Sequence, residues 1–150
     1  MVLMKKIILL FISLFLLYSI NVFAQSTMMI IGPAAAGSRD TVVFPINVSD
    51  FNNIGAISLK ITYDTTSLAF IGIANSPASV TFIKNAKLDA VLLGWFDATT
   101  ISPINIAKGK LVDLLFTGNG KVGNVNFDTT NCEISNDIGK VLPVVFKKGY

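Results

Sequence analysis

The segment Ala56–Asp64 alternates apolar and polar side chains from one position to the next. The apolar set is Ile57, Leu59, Ile61 and Tyr63, and the polar set between them is Ser58, Lys60 and Thr62. Because successive side chains of a strand point to opposite sides of a sheet, this period predicts a strand with one buried and one solvated face. The buried face needs a second layer to cover it, and the solvated face is free to meet a ligand or a partner.

Residues 1–24 are predicted to be a signal peptide. Lys5 and Lys6 form a short basic head, Ile7–Ile20 is apolar, and small residues end the segment at Ala24, after which we expect cleavage. A retained membrane anchor is the alternative, and it would be the chain's only membrane association. An apolar run of about 14 residues is short against the roughly 20 that a spanning helix needs. We therefore expect the chain to be secreted or displayed at the cell surface.

Residues 25–150 have the length of one domain with a single core. Removal of Lys5 and Lys6 leaves ten basic against nine acidic residues, a net charge of about +1, without a basic patch suited to nucleic acid. Cys132 is the only cysteine, so the domain is expected to be held together by burial and not by a disulfide. Without histidine to activate it, Cys132 is interpreted as an unreactive strand residue.

Short apolar runs separated by turn residues fill the rest of the chain, which predicts an all-β fold. Ser49–Asn53 is predicted to turn the chain before Ala56, Gly118–Gly120 to close a hairpin, and Ser135–Gly139 to join the last two strands. With Ala56–Asp64, about nine or ten strands indicate two packed sheets. The other predicted strands are Met28–Ile31, Thr41–Val48 (where Pro45 suggests an edge or bulge), Leu68–Ile73, Val80–Asn85, Ala90–Phe96, Leu111–Thr117, Val122–Phe127, Cys132–Ile134 and Leu142–Phe146.

No catalytic or metal-binding arrangement is predicted. The absence of histidine rules out Ser-His-Asp and Cys-His catalysis. Asp50–Gly55 resembles the start of a calcium loop, but Ile61 stands where an EF-hand needs glutamate, so an asparagine turn is the interpretation. Gly118–Gly123 fits GxGxxG without a following helix. A glycosidase needs two carboxyl groups that face each other across a cleft, and the candidates for such a pair are instead interpreted as turn formers: Asp64, Asp89, Asp97, Asp113, Asp128 and Glu133.

Trp95 and Phe96 are adjacent in a predicted strand and must therefore lie on opposite faces. A buried Trp95 is favoured, because large aromatic side chains are more often in the core. Phe96 would then be on the outer face with Leu92 and Gly94, and exposed apolar residues in a cluster usually mark a partner site. If Trp95 were exposed instead, it could stack on a sugar ring or anchor a protein interface.

Four stretches are spread over nearly all of residues 25–150: Val42–Val48, Ile57–Asp64 with Ser67–Phe70, Lys108–Phe116 and Gly139–Val144. The most specific is the alternating strand that ends in Tyr63-Asp64 and is followed by a short turn and Leu68. Together these stretches resemble cohesin modules. Cohesins are nine-stranded jelly-roll β-sandwiches, similar in fold to some carbohydrate-binding modules.

The resemblance implies a non-catalytic docking function. Cohesins bind dockerins, which are small helical calcium-binding modules, and thereby attach glycoside hydrolases to scaffolds; the calcium belongs to the partner, so no cofactor is expected here. In that family one sheet face meets the dockerin, and the matching outward residues are Ser58, Lys60 and Thr62, with Phe96 and Asp97 behind them. The alternatives are a carbohydrate-binding module that uses Trp95 or Phe96 on a polysaccharide, and a structural surface domain.

Overall fold

The computed structural model describes residues 27–32, 34–36, 41–99, 101–119 and 123–148. They form ten strands and one 3-10 turn at Thr129–Asn131. The strands are β1 (Thr27–Ile31), β2 (Ala35–Ala36), β3 (Thr41–Tyr63), β4 (Leu68–Ala74), β5 (Ile83–Ala86), β6 (Ala90–Phe96), β7 (Ile104–Gly118), β8 (Val125–Phe127), β9 (Glu133–Asn136) and β10 (Val144–Lys148). The predicted signal segment, residues 1–24, lies outside the described residues and stays a prediction.

The strands form two layers that share β3. Its first half pairs with β1 and β2 on one side and with β7 on the other; β10 extends this layer beyond β1, and β4 extends it beyond β7. We call this layer the back sheet. The second half of β3 pairs with β6 on one side and with β8 and β9 on the other, and β5 continues beyond β6. We call this layer the front sheet. The predicted all-β sandwich is confirmed.

A continuous strand passes from one sheet to the other, so the predicted separation of Thr41–Val48 from Ala56–Asp64 by a turn is wrong. Asp50 and Asn53 take positive φ values of 54° and 57°, and the pairing with β7 shifts register between Phe51 and Ile54. Asparagine and aspartate tolerate this left-handed conformation better than most residues. The backbone N–H of Asn53 donates to Oδ1 of Asn105 at 2.8 Å, which helps to fix the bend.

The apolar side chains of both halves of β3 meet between the layers. Phe44, Ile46 and Val48 are buried from the back sheet, and Ile57, Leu59 and Ile61 from the front sheet. Phe116 of β7 makes edge contacts with the rings of Phe44, Tyr63 and Phe70, at centroid distances of 5.6, 5.1 and 5.4 Å. Edge contacts of this kind are favourable for aromatic rings and link the two layers.

The predicted hairpin at Gly118–Gly120 is also wrong. β7 belongs to the back sheet and β8 to the front sheet, and the two do not pair with each other. The backbone N–H of Asn119 donates to the carbonyl of Ser67, and its side-chain amide donates to the carbonyl of Thr66. Gly118 therefore ends β7 in the back sheet, and the next described strand, β8, lies in the front sheet; Gly120 lies outside the described residues. Turn-forming residues show where a chain reverses but not which sheet receives the next strand.

Some strand boundaries also differ from the prediction, because pairing with distant strands decides where a strand begins. β7 begins at Ile104 and not at Leu111, because Ile104 and Ile106 pair with Ile54 and Phe51 at the bend of β3. Pro45 lies beside a register shift at Ile46/Asn47, which agrees with the edge or bulge that it suggested, and its carbonyl accepts from the N–H of Gly32. The Ser135–Gly139 turn is present, with Gly139 at φ 78°, but β9 and β10 then enter different sheets.

Candidate functional site

The solvated side of the front sheet carries the predicted partner-binding residues. In an antiparallel pair, residues directly opposite each other share a face. Ser58 lies opposite Gly94, Lys60 opposite Leu92, and Ala56 opposite Phe96; Ile83 and Asn85 of β5 lie opposite Gly94 and Leu92. We call this surface the front face, and it includes Ala56, Ser58, Lys60, Thr62, Ile83, Asn85, Leu92, Gly94 and Phe96, with Asn126 of β8 and Glu133 of β9 on the other side of β3.

The front face brings together four of the five predicted partner-binding residues. Ser58 and Phe96 are exposed, and Lys60 and Thr62 are partly exposed. Thr62 donates from Oγ1 to the carbonyl of Asn126 in β8 at 3.4 Å. These four residues share one face because of the register in which β3 pairs with β6. The alternation within each strand does not specify that register. Whether they bind a partner stays a proposal.

Asp97 lies immediately after β6, at the end of the front face, and organises a turn. Its Oδ1 accepts hydrogen bonds from the N–H and Oγ1 of Thr99 at 2.9 and 2.6 Å, and its Oδ2 accepts from the N–H of Ser102 at 2.7 Å. These bonds satisfy backbone donors that the loop would otherwise leave unpaired. The carboxylate therefore shapes the edge of the front face and is less available to a partner than its position in the sequence suggests.

Lys60 forms an ion pair that the sequence did not reveal. Its Nζ lies 2.8 Å from Oδ2 of Asp128, with the two side chains 35% and 23% exposed. The hydrogen bond to Asp128 raises the pKa of Lys60, and the hydrogen bond from Lys60, helped by Asn131, lowers the pKa of Asp128. Asp128 is distant in sequence and follows β8, so only the pairing of β8 with β3 places it here.

Trp95 is buried and Phe96 is exposed, as the favoured interpretation expected. The relative exposure of the two residues is 9% and 62%. The alternative in which Trp95 stacks on a sugar is therefore wrong, because its indole packs in the core. Phe96 is the one exposed aromatic side chain among the described residues. A row of aromatic platforms, which sugar binding prefers, is not formed by the described part of the front face.

Ile83 is a front-face residue that sequence reasoning did not single out. It is 68% exposed and lies opposite Gly94, on the side away from Ser58. Val80 and Phe82 are buried while Thr81 and Ile83 are exposed, so the alternation of the predicted Val80–Asn85 strand contained the signal. The observed strand begins later, at Ile83, because pairing with β6 starts there.

Asp64 and Asp113 both have structural roles, but of different kinds. Asp64 forms the predicted turn, where its carboxylate accepts from the N–H and Oγ1 of Thr66 and from Oγ of Ser67. Asp113 is not a turn former, because it lies within β7 and is 2% exposed. Its Oδ2 accepts from Nδ2 of Asn75 at 2.7 Å and from Nζ of Lys110 at 2.9 Å. This cluster lies in the back sheet, away from the front face.

Cys132 precedes β9 and packs against the core. Its Sγ lies 3.4 Å from both the backbone nitrogen and the carbonyl oxygen of Lys60. Desolvation by burial raises the pKa of its thiol. A protonated, half-buried thiol is a poor nucleophile, which agrees with the interpretation of Cys132 as an unreactive residue.

The described residues form neither a group suited to hold a metal ion nor a helix suited to cross a membrane. In the part of the chain that the structure describes, no three His, Cys, Asp or Glu residues are grouped so that they could hold a metal ion. Across the same residues, no helix has the length and apolarity required to cross a bilayer.

Comparison with solved structures finds cohesins. The cohesin CaCohA2 of Clostridium acetobutylicum has a TM-score of 0.70 and 19% identity, covering 84% of this chain and 88% of that one. The sixth cohesin of scaffoldin B of Acetivibrio cellulolyticus, solved in complex with a Cel5 dockerin, has a TM-score of 0.69 and 16% identity, covering 84% and 100%. A non-cellulosomal cohesin of the archaeon Archaeoglobus fulgidus has a TM-score of 0.63 and 16% identity, covering 81% and 86%.

Sequence identities of 16–19% show only that these proteins share a fold with this chain. A match to a family model, in contrast, is evidence from the sequence itself. Comparison with curated protein sequences found no match. The model of the cohesin domain matches residues 28–144, which include every strand of the front sheet. The chain therefore belongs to the cohesin domain family.

Proposed function

We propose that this chain is a secreted, non-catalytic cohesin module that binds a dockerin-type partner through its front face and helps to assemble polysaccharide-degrading enzymes. The observation that carries the proposal is the composition of that face. It combines small, polar and apolar side chains: exposed Phe96 ends β6, exposed Ile83 begins the edge strand β5, and Lys60 on the interior strand β3 pairs with Asp128. A surface that combines exposed apolar and aromatic side chains with polar ones is typical of protein interfaces.

Membership of the family supports a dockerin as the partner. Solved cohesins of similar fold from Acetivibrio cellulolyticus and Clostridium thermocellum are in complex with dockerins. The resemblance implies that dockerins carry their own calcium, so we expect this chain to need no cofactor. The secreted or cell-surface location rests on the predicted signal peptide at residues 1–24.

The same features disfavour catalysis. The sequence contains no histidine, and the carboxylates of Asp64, Asp97 and Asp128 are engaged in turns or an ion pair. A carbohydrate-binding module would depend on Phe96 alone on this face, since Trp95 lies in the core. One aromatic ring offers a weaker sugar platform than a row of rings. Protein docking is therefore the better supported function.

Isothermal titration calorimetry against calcium-loaded dockerin modules encoded in the same genome tests the proposal. We expect at least one dockerin to bind, and we expect Phe96→Ala to weaken that binding by about tenfold, a typical loss for an exposed aromatic anchor. Thr117→Ala, on an exposed residue of β7 in the back sheet, is the matched control and should leave affinity unchanged.

Chelation of calcium should abolish binding without changing the circular dichroism of this chain, because the ion belongs to the partner. Absence of heat with every dockerin in the genome would contradict the proposal. Retention of the chain on an insoluble polysaccharide, reversed by Phe96→Ala, would favour the carbohydrate-binding alternative instead.

A further inference from the structure

Asp113 is a buried carboxylic acid in the back sheet, and the proposed docking function does not use it. It is 2% exposed and lies in β7, between β3 and β4. Its Oδ1 has no hydrogen-bond partner among the described residues. A buried polar atom without a partner is costly and uncommon, and a catalytic role is one of the reasons for which it is retained.

Two side-chain nitrogens converge on the other oxygen of this carboxyl group. Nδ2 of Asn75 donates to Oδ2 of Asp113 at 2.7 Å, and Nζ of Lys110 donates to the same oxygen at 2.9 Å. The two nitrogens therefore lie no further apart than the sum of these distances. Asn75 and Lys110 are exposed, so they lie over the buried Asp113 on its solvent side.

Irregular backbone at two places brings the three side chains together. Lys110 and Asp113 are three positions apart, and in a regular strand they would point to opposite faces. Leu111 has no residue opposite it in β3, because the register shifts there, and this bulge turns Lys110 to the side of Asp113. Asn75 follows Ala74, which lies opposite Asp113 in β4, and its left-handed φ of 54° ends the strand there.

We propose that Lys110 and Asn75 form an amide cross-link within the chain, with Asp113 as the group that transfers the protons. The Lys110 amine is the nucleophile, and the Asn75 carboxamide is the acyl group that it attacks. Asp113 is within hydrogen-bond distance of both the nitrogen that attacks and the nitrogen that leaves, as a general acid and base must be. The site lies in the back sheet, so the inference is independent of docking.

The atoms and charges of this step balance without an oxidant, a reductant or a second substrate. Oδ2 of Asp113 accepts a proton from Nζ of Lys110, and the freed electron pair forms a bond to Cγ of Asn75. Asp113 then passes the proton to Nδ2, and the bond between Cγ and Nδ2 breaks. The second proton that Nζ loses reaches the same nitrogen, which leaves as ammonium, and Asp113 ends unchanged. Because Asn75 and Lys110 are exposed, the ammonium can escape to solvent.

The product ties the end of β4 to β7 by a covalent bond. Cys132 is the only cysteine, so an internal disulfide cannot provide such a tie. A bond between residues 75 and 110 closes a loop in the unfolded chain and lowers its conformational entropy, as a disulfide does. The cross-link would therefore stabilise the back sheet, which shares β3 with the front sheet.

The test is intact mass spectrometry of the purified chain, followed by digestion with trypsin. We expect a mass that is lower by one ammonia than the sequence requires. Trypsin does not cut after an acylated lysine, so peptide 61–84, which contains Asn75, should be found joined to peptide 109–121, which contains Lys110. A full mass, with peptides 61–84 and 111–121 both free, would overturn the proposal.

Three substitutions identify the groups that react, and circular dichroism checks that each variant folds. Lys110→Arg keeps the positive charge but has no nucleophilic amine, and Asn75→Ala has no carboxamide, so each should have its full mass. Asp113→Asn removes the proton carrier and should also remain unlinked. Lys108→Arg, at an exposed lysine of the same strand, is the matched control and should still lose ammonia.

The unlinked Lys110→Arg variant should melt at a lower temperature than the cross-linked Lys108→Arg control. Loss of ammonia that persists in Lys110→Arg would overturn the proposal, because an asparagine that cyclises elsewhere in the chain also releases ammonia. Lys110→Arg and Asn75→Ala decide the matter even if Asp113→Asn does not fold.

Discussion

Nζ of Lys60 and Oδ2 of Asp128 lie 2.8 Å apart, although the two residues are 68 positions apart in the sequence. Lys60 belongs to the second half of β3, and Asp128 directly follows β8, which pairs with that half. The backbone N–H of Asp128 also donates to the carbonyl of Lys60 at 2.8 Å. The ion pair therefore extends the β3–β8 ladder with a side-chain contact on the solvated side of the front sheet.

We predict that the pair makes stability depend on pH at both ends of its range. The folded pKa of Asp128 is lowered, so its contribution is present above the unfolded pKa and is lost as pH falls through the folded value. The folded pKa of Lys60 is raised, so its contribution is present below the unfolded pKa and is lost as pH rises through the folded value. NMR titration of the Asp128 carboxyl should give a midpoint below 3.8.

Lys60→Met is the informative variant, because methionine keeps the apolar stem and removes the charge. The Asp128 midpoint should then move upward, toward its ordinary value, with only a small loss of stability because both side chains are partly solvated. An unchanged midpoint in Lys60→Met would show that Asn131 and the backbone, not Lys60, hold the carboxylate in its charged form.

Truncation of the adjacent residues Trp95 and Phe96 should change the free energy of unfolding by very different amounts. Trp95→Ala removes a large core side chain and should lower the free energy of unfolding by about 3–5 kcal/mol. Phe96→Ala removes an exposed ring and should change it by less than about 0.5 kcal/mol. Urea unfolding followed by fluorescence for Phe96→Ala, and by circular dichroism for both, measures the difference. Similar losses in the two variants would contradict the assignment of their faces.

Glycines that look alike in sequence should differ in their tolerance of a side chain. A Cβ at Gly55 would lie 2.6 Å from the carbonyl oxygen of Asn136 and from Cα of Asp137. Both contacts are with backbone, which cannot rotate away, so Gly55→Ala should destabilise the protein by about 1–3 kcal/mol. Gly94→Ala is the control and should be neutral or stabilise by up to about 1 kcal/mol. Thermal unfolding of the two variants decides between these outcomes.

Cys132 should react slowly with thiol reagents. Burial raises the pKa of its thiol, so the reactive thiolate is scarcer at pH 8 than for a free cysteine, and the half-buried Sγ is also hindered. Iodoacetamide labelling followed by mass spectrometry should be slow in the native protein and fast in urea. Labelling at equal rates in both conditions would show that Cys132 is accessible and activated.

The sequence was informative wherever a property depended on neighbouring residues. The alternation from Ala56 to Asp64 predicted the two faces of the second half of β3, with Ile57, Leu59 and Ile61 inward. β6 was predicted with both of its ends correct, and the outward position of Phe96 followed from the burial of Trp95. Side-chain direction in a strand alternates with period two, so a single strand carries this information by itself.

Connections between layers could not be read in the same way. The predicted turn at Ser49–Asn53 is a bend within one strand, and the strands on either side of the predicted hairpin at Gly118–Gly120 belong to different sheets. Turn residues allow the chain to change direction, but long-range pairing decides where it goes. For the same reason the sequence did not predict the ion pair of Lys60 with Asp128 or the position of Ile83 opposite Gly94. Both depend on pairing between strands that are distant in sequence or of unpredicted register.

The sequence by itself therefore determined the all-β character, the buried side of each alternating strand and the resemblance to cohesins. Tertiary structure alone decided which strands share the front sheet, and with them the ion pair between Lys60 and Asp128 and the position of Ile83 beside Gly94. The physical reason is that the pattern of burial repeats every two residues along the chain. The composition of a face instead depends on hydrogen-bonded register between segments that no local preference connects.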